Sequence, residues 1–260
     1  MPVDPRLIEE YGADLATVHY AIGDVHGCLV QMRHALAWCA RDAEDRNMRG
    51  VVHLLGDYVD RGPDSRGVLE TLMAGPAESH MQWRPLRGNH DQDFSRSWRD
   101  PDGGEASGWW VHGGQQTLAS YGWNPLVDEA PDHLREWVPE RHIIFLEGLP
   151  LAAATPYAIF VHAGMRPGVP LSMQSPRDLM WIRGDFLRSE HDFGRRVVHG
   201  HTYESGNPVV RDNRVALDSC CFGEGTLSAA AFDPGSTDPR IERFDHDGLI
   251  ESFRDCPYGR

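Results

Sequence analysis

The architecture of the chain can be read from one apolar run and its ending, Val51-Val52-His53-Leu54-Leu55 followed at once by Gly56-Asp57-Tyr58-Val59-Asp60-Arg61-Gly62. An apolar run of strand length that stops on acids and glycines places its polar side chains at the rim of a sheet, where ligands bind in open α/β folds. Four further apolar runs end in the same way. Their endings are Gly23-Asp24-Val25-His26-Gly27, Gly88-Asn89-His90-Asp91, His162-Ala163-Gly164 and His199-Gly200-His201-Thr202. Together the five endings predict one site at the rim of a sheet.

The residue types at these endings suit metal ions. Asp24 and His26 are two residues apart, and alternate residues of an extended chain face the same side, so both can reach one ion. Asp57 has two carboxylate oxygens and can bridge a pair of ions. A neutral amide oxygen and two imidazole nitrogens come from Asn89, His162 and His201. This mixed set of nitrogen and oxygen ligands predicts two divalent ions, with Mn favoured and Fe or Zn as alternatives.

The motifs resemble those of a known family. Gly-Asp-Val-His-Gly, Gly-Asp-Tyr-Val-Asp-Arg-Gly and Gly-Asn-His-Asp, in that order, are similar to the signature of the PPP family of metal-dependent phosphatases, especially its bacterial and phage serine/threonine branch. His162-Ala163-Gly164, Leu179-Met180-Trp181-Ile182-Arg183 and Gly200-His201-Thr202 match the same branch. The resemblance runs from about Tyr20 to Phe232. It implies that Asp24, His26 and Asp57 hold the first metal ion, and that Asp57, Asn89, His162 and His201 hold the second.

The resemblance also implies a mechanism. Two divalent ions about 3.5 to 4 Å apart share a bound water, lower its pKa and support in-line attack of hydroxide on phosphorus. His90 protonates the leaving group as general acid and Asp60 orients it. Arg61 and Arg183 bind the phosphate, for which a guanidinium fork is suited. Without its sequence context, Arg183 would read as a surface salt bridge. His199 supports a ligand from behind or is a strand-end histidine bonded to backbone.

Length and periodicity predict an α/β fold. A chain of 260 residues, 40% hydrophobic, is expected to form a single domain over residues 1–260. Helical spacing over Cys28–Ala40 and Ser65–Met73 predicts βαβ units and a largely parallel first sheet. Short β-type runs after Leu151 predict a second, mixed sheet packed on the first. These runs are 157–161, 196–198, 208–210, 215–217 and 226–232. The resemblance implies the αββα sandwich of metallophosphoesterases.

Residues 94–139 contain five of the eight tryptophans. These residues are Trp98, Trp109, Trp110, Trp123 and Trp137. The pattern predicts a small helical cap with its own aromatic core. A wall of the substrate cleft is the alternative, and the two are compatible.

Composition limits the function classes. With 25 basic against 39 acidic residues, the net charge is −14. The sequence shows no basic patch of the kind that binds nucleic acid, so a nucleic-acid partner is not expected. Neither a signal peptide nor a run of membrane-span length is visible, which predicts a cytoplasmic protein without a membrane partner. Five cysteines without zinc-site spacing predict reduced thiols. Cys220-Cys221 departs from the family's usual Asp-Thr-Gly pattern and is read as buried packing, with a redox brake as the alternative.

Three functions follow from these observations. A phosphatase acting on phosphoserine or phosphothreonine in proteins or peptides, with phosphotyrosine as a further candidate, fits the branch resemblance best. A hydrolase of small phosphoanhydrides, such as symmetrical dinucleoside tetraphosphates, shares the first three motifs but is less favoured by Trp181-Ile182-Arg183 and Gly-His-Thr. A non-catalytic metal-binding scaffold is the third function. It is disfavoured because a purely structural metal site has no role for His90, Asp60, Arg61 and Arg183.

Overall fold

The computed structural model describes residues 1–103, 108–129, 133–204 and 208–253. The strands in this part of the chain are β1 (Ile8–Glu10), β2 (Thr17–Ile22), β3 (Arg49–Leu54), β4 (Met81–Pro85), β5 (Ala152–Ala154), β6 (Ala158–Val161), β7 (Arg196–His199), β8 (Val209–Val210), β9 (Arg214–Ala216), β10 (Leu227–Phe232), β11 (Arg240–Phe244) and β12 (Leu249–Phe253). The α-helices are α1 (Leu29–Asp45), α2 (Ser65–Ala74), α3 (Asn89–Arg99), α4 (Gln115–Ser120), α5 (Glu140–Glu147), α6 (Pro176–Trp181), α7 (Gly184–Leu187) and α8 (Cys221–Glu224).

The strands form two six-stranded sheets, each mixed. The first has the order β12-β11-β10-β2-β3-β4 and the second has the order β1-β5-β6-β7-β9-β8. In the first sheet β2, β3 and β4 are parallel, as the βαβ pattern predicts. β10 lies antiparallel to β2, and β11 and β12 continue the antiparallel half. The prediction of a largely parallel first sheet is therefore wrong for half of its strands.

β10 is also a correction to the second sheet. The run 226–232 was expected there, yet Ala230 pairs with Ala21 in the centre of the first sheet. The reason is that β3 and β4 pair on one side of β2 and leave its other edge free for β10. The small side chains of β10 fit between the helices on one face and the second sheet on the other. β10 alternates, with Ala229 and Ala231 facing the helices and Ala230 and Phe232 facing the second sheet.

Helices cover the outer faces of both sheets, which confirms the predicted αββα sandwich. On β2, Val18, Tyr20 and Ile22 pack with α1, whereas Ala21 faces the second sheet, as the period of two requires. On β6, Ile159 packs with α6 and α7, and Phe160 lies between the sheets. Complete burial of a side chain such as Phe160 contributes about 1.5 to 3 kcal/mol of hydrophobic stabilisation.

The cap differs from its prediction. Helix α3 begins at Asn89 itself, then a wide π-helical turn covers Trp110–Gly114 and leads into α4. Trp98, Trp109 and Trp123 are buried, but they belong to the same apolar cluster as Tyr20 and Met32. The described aromatic residues of the cap contact one another but share one core with the main body, because α3 packs its apolar face directly onto that body. Residues 104–107 and 130–132 of the predicted cap lie outside the described residues.

Within the described residues, no helix is both long enough and apolar enough to span a membrane.

Candidate active site

The polar endings converge at one edge of the two sheets. Asp24 and His26 follow β2, Asp57 follows β3, and Asn89 and His90 open α3 after β4. His162 follows β6 and His201 follows β7, on the second sheet. All of these side chains are at least nine-tenths buried. The structure thus brings the six residues predicted as metal ligands to one place between the layers.

The backbone of this site adopts conformations that are rare for residues with side chains. The φ angles are 43° at His26, 53° at Asp57, 73° at Asp60, 69° at Arg61 and 62° at His201. Left-handed geometry at residues other than glycine costs free energy and persists where the surroundings enforce it, commonly at functional sites. The turns that end the strands are therefore shaped to aim particular side chains.

Asp57 lies at the centre of the site. Its Oδ2 is 3.6 Å from Nε2 of His26, and its Oδ1 is 3.4 Å from Nε2 of His162. Two clusters share this carboxylate, each with ligand atoms within 4.8 Å of one another: His26, Asp57 and His90, and Asp57, His162 and His201. One oxygen faces each cluster, as a residue that bridges two ions requires.

The donor set fits cations. His162 Nδ1 donates to the carbonyl of Leu55 at 2.8 Å, so its Nε2 presents a lone pair. That nitrogen faces Oδ1 of Asn89 at 2.9 Å and the Asp57 carboxylate. Three electron-pair donors directed at one another are repulsive unless a positive charge lies among them. A divalent metal ion meets that requirement, and imidazole with carboxylate and amide oxygen suits Mn, Fe or Zn.

Asp24 differs from the other predicted ligands because both oxygens of its carboxylate bond to the backbone. Both of its oxygens accept the backbone N–H of His201, at 3.1 and 3.0 Å, so the carboxylate links the β2 ending to the β7 ending. A Cβ atom at residue 200 would collide with Asp24 Oδ1, so only glycine permits this approach. Among the described residues Asp24 is in neither three-residue cluster, and His90 stands beside His26 and Asp57 instead.

His90 and Asp60 form a buried pair. His90 Nδ1 donates to Asp60 Oδ2 at 2.7 Å, which turns Nε2 towards the metal-ligand cluster. Asp60 Oδ1 accepts from Trp109 Nε1 at 2.9 Å and from Thr117 Oγ1 at 2.7 Å. Both donors come from the cap. The geometry is that of an imidazole held by a carboxylate, as a general acid requires.

The two arginines reach the same site. Arg61 is exposed and donates to Nε2 of His26 at 2.9 Å and to Nε2 of His90 at 2.8 Å. Arg183 Nε donates to Nε2 of His201 at 3.1 Å, so the surface salt-bridge reading of Arg183 is not what the structure shows. Guanidinium groups at this position can contact the oxygens of a phosphoryl group.

Asp91 escaped sequence reasoning as a site residue. Its carboxylate accepts the backbone N–H groups of Asp57, Tyr58 and Gly88, each at 2.9 Å. It therefore ties the β3 turn to the start of α3. The available signal was its position, three residues inside a helix that opens on a ligand, where an acid satisfies free N–H groups.

Burial dominates the titration of the site. It raises the pKa of Asp57 to about 6 and of Asp60 and Asp91 to about 7, and that of Asp24 well above its ordinary value. Burial lowers the pKa of His90 and His162 to about 4 and of His201 to about 2. For His162 and His201 these shifts favour neutral imidazoles at pH 7, as metal ligands require, and the carboxylates need positive charge to remain ionised in this environment.

A cleft of about 470 Å³ opens beside Arg61. The cap supplies one wall, which includes Trp110 and Gln116, and Phe222 supplies another. Phe222 lies under the Arg61 guanidinium at 4.9 Å and meets the His26 ring edge-on at 5.3 Å. Substrate groups beyond the phosphoryl would extend into this cleft.

Two secondary predictions have simple outcomes. His199 is buried, and its Nδ1 bonds to the carbonyl of Gly200 at 3.0 Å, which is the backbone-bonded alternative. Cys28, Cys39, Cys220 and Cys221 are free thiols. Cys221 is buried, in agreement with packing, whereas Cys220 is only partly buried and does not match that prediction. Cys256 lies outside the described residues.

The fold and the site define a metallophosphoesterase. The chain belongs to the calcineurin-like phosphoesterase family, whose model matches residues 20–223.

Relatives within the family have different names. The chain is 38% identical over 73 residues to serine/threonine-protein phosphatase 1 of Salmonella typhimurium, which is 28% of this chain and 29% of that protein. It is 30% identical over 207 residues to a symmetrical bis(5'-nucleosyl)-tetraphosphatase of Delftia acidovorans, covering 74% of this chain and 60% of the relative. The matches to these two relatives thus span less than two thirds of the relatives' own length.

Solved structures confirm the fold. A candidate diadenosine tetraphosphatase superposes with a TM-score of 0.62 at 21% identity, covering 92% of this chain and 97% of its own. A cold-active protein-tyrosine phosphatase of a psychrophilic Shewanella gives 0.56 at 16% identity, covering 97% and 85%.

Proposed function

We propose that the chain is a metal-dependent phosphoprotein phosphatase that hydrolyses phosphoserine and phosphothreonine esters, with phosphotyrosine as a further substrate. The observation that carries this proposal is the contact of Arg183 Nε with His201 Nε2 at 3.1 Å, which joins the two segments that favour a phosphatase over an anhydride hydrolase. The buried His90–Asp60 pair, whose motifs both classes share, supplies the proton donor that ester hydrolysis needs. The alkoxide of serine or threonine is a poor leaving group and needs a proton as it departs. A nucleotide leaving from an anhydride is already a stable anion and has much less need of one.

The residues divide into roles on this proposal. Asp24, His26 and Asp57 hold one ion, and Asp57, Asn89, His162 and His201 hold the other. When bound, two divalent ions lower the pKa of water at the site and neutralise the charge of the phosphoryl oxygens. Arg61 and Arg183 fix the phosphoryl group, Asp60 orients His90, and His90 protonates the leaving oxygen.

Replacement of His90 by Asn tests this assignment. Turnover of a phosphothreonine peptide should fall by about a hundredfold to ten-thousandfold, the usual contribution of a positioned acid. Turnover of 4-nitrophenyl phosphate should fall much less, because nitrophenolate leaves without a proton. Metal content, measured after Mn loading, should stay at the wild-type value. His191→Asn, at an exposed histidine after α7, is the matched control and should change none of these values.

Two results would contradict the assignment. Equal losses on both substrates would remove proton donation from His90. Loss of metal in His90→Asn would instead make His90 a ligand, a role that its place in the cluster with His26 and Asp57 also allows.

A dinucleoside tetraphosphatase is the second candidate. The names of several relatives favour it, and the aromatic walls of the cleft, Trp110 and Phe222, could stack on a base. A panel of phosphopeptides and dinucleoside tetraphosphates decides between the two. If the tetraphosphate is cleaved at least about a hundred times more efficiently than the best phosphopeptide, a gap of about 2.7 kcal/mol in transition-state binding, the anhydride hydrolase replaces the phosphatase.

A further inference from the structure

Both carboxylate oxygens of Asp60 accept hydrogen bonds, and His90 is the donor to only one of them. Its Oδ2 accepts from His90, while its Oδ1 accepts from the indole N–H of Trp109 and the hydroxyl of Thr117. From this arrangement we infer that Trp109 and Thr117 are positioning residues, through which the cap sets the orientation of the His90 imidazole. The inference rests on the proposed function, since it concerns the delivery of a proton to the leaving group.

The Thr117 hydroxyl makes two hydrogen bonds to Asp60, one as donor and one as acceptor. Its hydroxyl proton goes to the Asp60 carboxylate at 2.7 Å, and its oxygen accepts the Asp60 backbone N–H at 2.8 Å. Ser65 Oγ lies 3.1 Å away and donates to the same oxygen, because the Thr117 proton is already engaged. One hydroxyl thus fixes both the main chain and the side chain of a residue with φ of 73°.

Trp109 connects Asp60 to the helix that carries His90. Its side chain is only 2% exposed, and its ring stacks on Phe94 of α3 with centroids 5.2 Å apart. Four residues further on, the Gly113 carbonyl accepts the N–H of Arg61 at 3.2 Å. The wide turn that starts at Trp110 makes these contacts possible, and such π-helical turns are frequent at functional sites.

These contacts give the cap a specific task. If either donor is lost, the Asp60 carboxylate can rotate, and the His90 Nδ1 proton no longer has a fixed acceptor. Outer partners of this kind typically affect activity by about tenfold to a hundredfold when removed. The phosphoryl-binding arginines and the metal ligands keep their own contacts, so binding should be spared.

Two variants that each remove one donor to Asp60 test the inference, Trp109→Phe and Thr117→Val. On a phosphothreonine peptide each should lower kcat by about tenfold to a hundredfold with KM unchanged. On 4-nitrophenyl phosphate the loss should be much smaller. Thr117→Ser keeps the hydroxyl and should restore the peptide rate. Trp98→Phe is the matched control, because it removes a buried indole N–H of the cap that donates to the Val138 carbonyl and not to Asp60.

A spectroscopic readout separates this inference from the proposed function. The imidazole Nδ1–H of His90 should give a downfield proton resonance, assigned by its loss in His90→Asn. It should exchange faster with water in Trp109→Phe and Thr117→Val, but not in Trp98→Phe. An unchanged resonance together with an unchanged leaving-group dependence would overturn the inference. If the resonance responds but no phosphomonoester is hydrolysed, the positioning role stands and the proposed function falls.

Discussion

Asp57 is the residue on which the two halves of the site depend. It is the member common to both clusters, and its backbone N–H and its Oδ1 are each fixed by hydrogen bonds, to Asp91 and from the N–H of His90. A Cβ atom at residue 88 would collide with its carboxylate, so Gly88 is needed for the turn to close around it.

Asp57→Asn should therefore reduce metal binding at both positions. The amide keeps the shape but loses the charge and one of the two anionic oxygens that face the clusters. We expect a Mn content well below two per chain after dialysis, measured by elemental analysis, with turnover lost in parallel. Asp14→Asn, at the opposite end of β2, is the control. A content near two ions per chain in Asp57→Asn would contradict the bridging role.

The short motifs pointed to most of the residues that the structure gathers at the candidate site because each motif follows a strand directly. Asp24, His26, Asp57, Asn89, His90, His162 and His201 could be placed without any tertiary information, since parallel strands present their carboxyl ends at one edge. Trp109 and Thr117 could not, because they contact Asp60 across 49 and 57 residues of sequence. Nothing local marks a tryptophan as a partner of a distant carboxylate rather than as packing.

Periodicity located strands and helices more reliably than it assigned strands to sheets. It predicted α1, α2 and the three parallel strands, but it placed β10 in the wrong sheet. A run such as Leu227–Phe232 is buried on both faces and reads the same in either sheet. The choice depends on which edge is free after the βαβ units have paired, and that is a property of the whole assembly. The packing of the cap's tryptophans into the core of the main body could not be predicted for the same reason.

An ion-pair network joins α1 to the antiparallel half of the first sheet. Arg240 of β11 contacts both oxygens of Asp42, at 2.8 and 2.7 Å, and the hydroxyl of Tyr20 donates to Asp42 at 2.7 Å. Burial raises the pKa of Asp42, but the bonds from Arg240 and Tyr20 outweigh it and hold the pKa below its usual range. The pair therefore stabilises the fold while Asp42 is ionised.

Asp42→Asn should lower the free energy of unfolding at pH 7 by about 1 to 2 kcal/mol, since one partner of a half-exposed bidentate pair is neutralised. A depressed folded pKa contributes stability above the unfolded pKa of about 3.9 and loses it as the pH falls through the folded value. The difference between variant and wild type in urea melts should therefore shrink below about pH 3.9. Glu44→Gln, exposed on the same helix, serves as the control. A difference that grows in acid would refute the account.

The cap and Phe222 should contribute differently to substrate choice. Phe222 supports Arg61 through a cation–π contact, so Phe222→Ala should lower efficiency on every phosphomonoester by a similar factor, equivalent to about 0.5 to 2 kcal/mol. Trp110 lines the cleft but makes no recorded contact with the described ligand residues, so Trp110→Ala should alter the ranking of peptides while sparing 4-nitrophenyl phosphate. Trp109 is too buried to contact a peptide directly, so it is not expected to affect this ranking. An unaltered ranking in Trp110→Ala would place peptide recognition elsewhere.

Both the whole chain and the buried site carry an excess of negative charge. The chain carries a net charge of −14, and its deepest carboxylates, Asp24, Asp57, Asp60 and Asp91, gather in one buried region. Buried anions that repel one another destabilise the fold, and Arg61 and Arg183 offset this only in part. Divalent ions at the candidate sites would supply the missing positive charge, so folding and metal binding should be coupled.

Mn should accordingly stabilise the chain as well as activate it. A ligand that binds only the folded state adds about 2.7 kcal/mol per site at a hundred times its Kd. For a chain of this size each kcal/mol raises Tm by about 2 to 4 °C, so two filled sites should raise it by roughly 10 to 20 °C. Calorimetry of chelator-stripped protein with added Mn measures the shift, and turnover should disappear and return with it. Mg should stabilise less, because imidazole nitrogens suit it poorly. Asp57→Asn should lose most of the shift, whereas Asp14→Asn should keep it. Full turnover in excess chelator, or a Tm that does not change when Mn is added, would exclude the dinuclear centre.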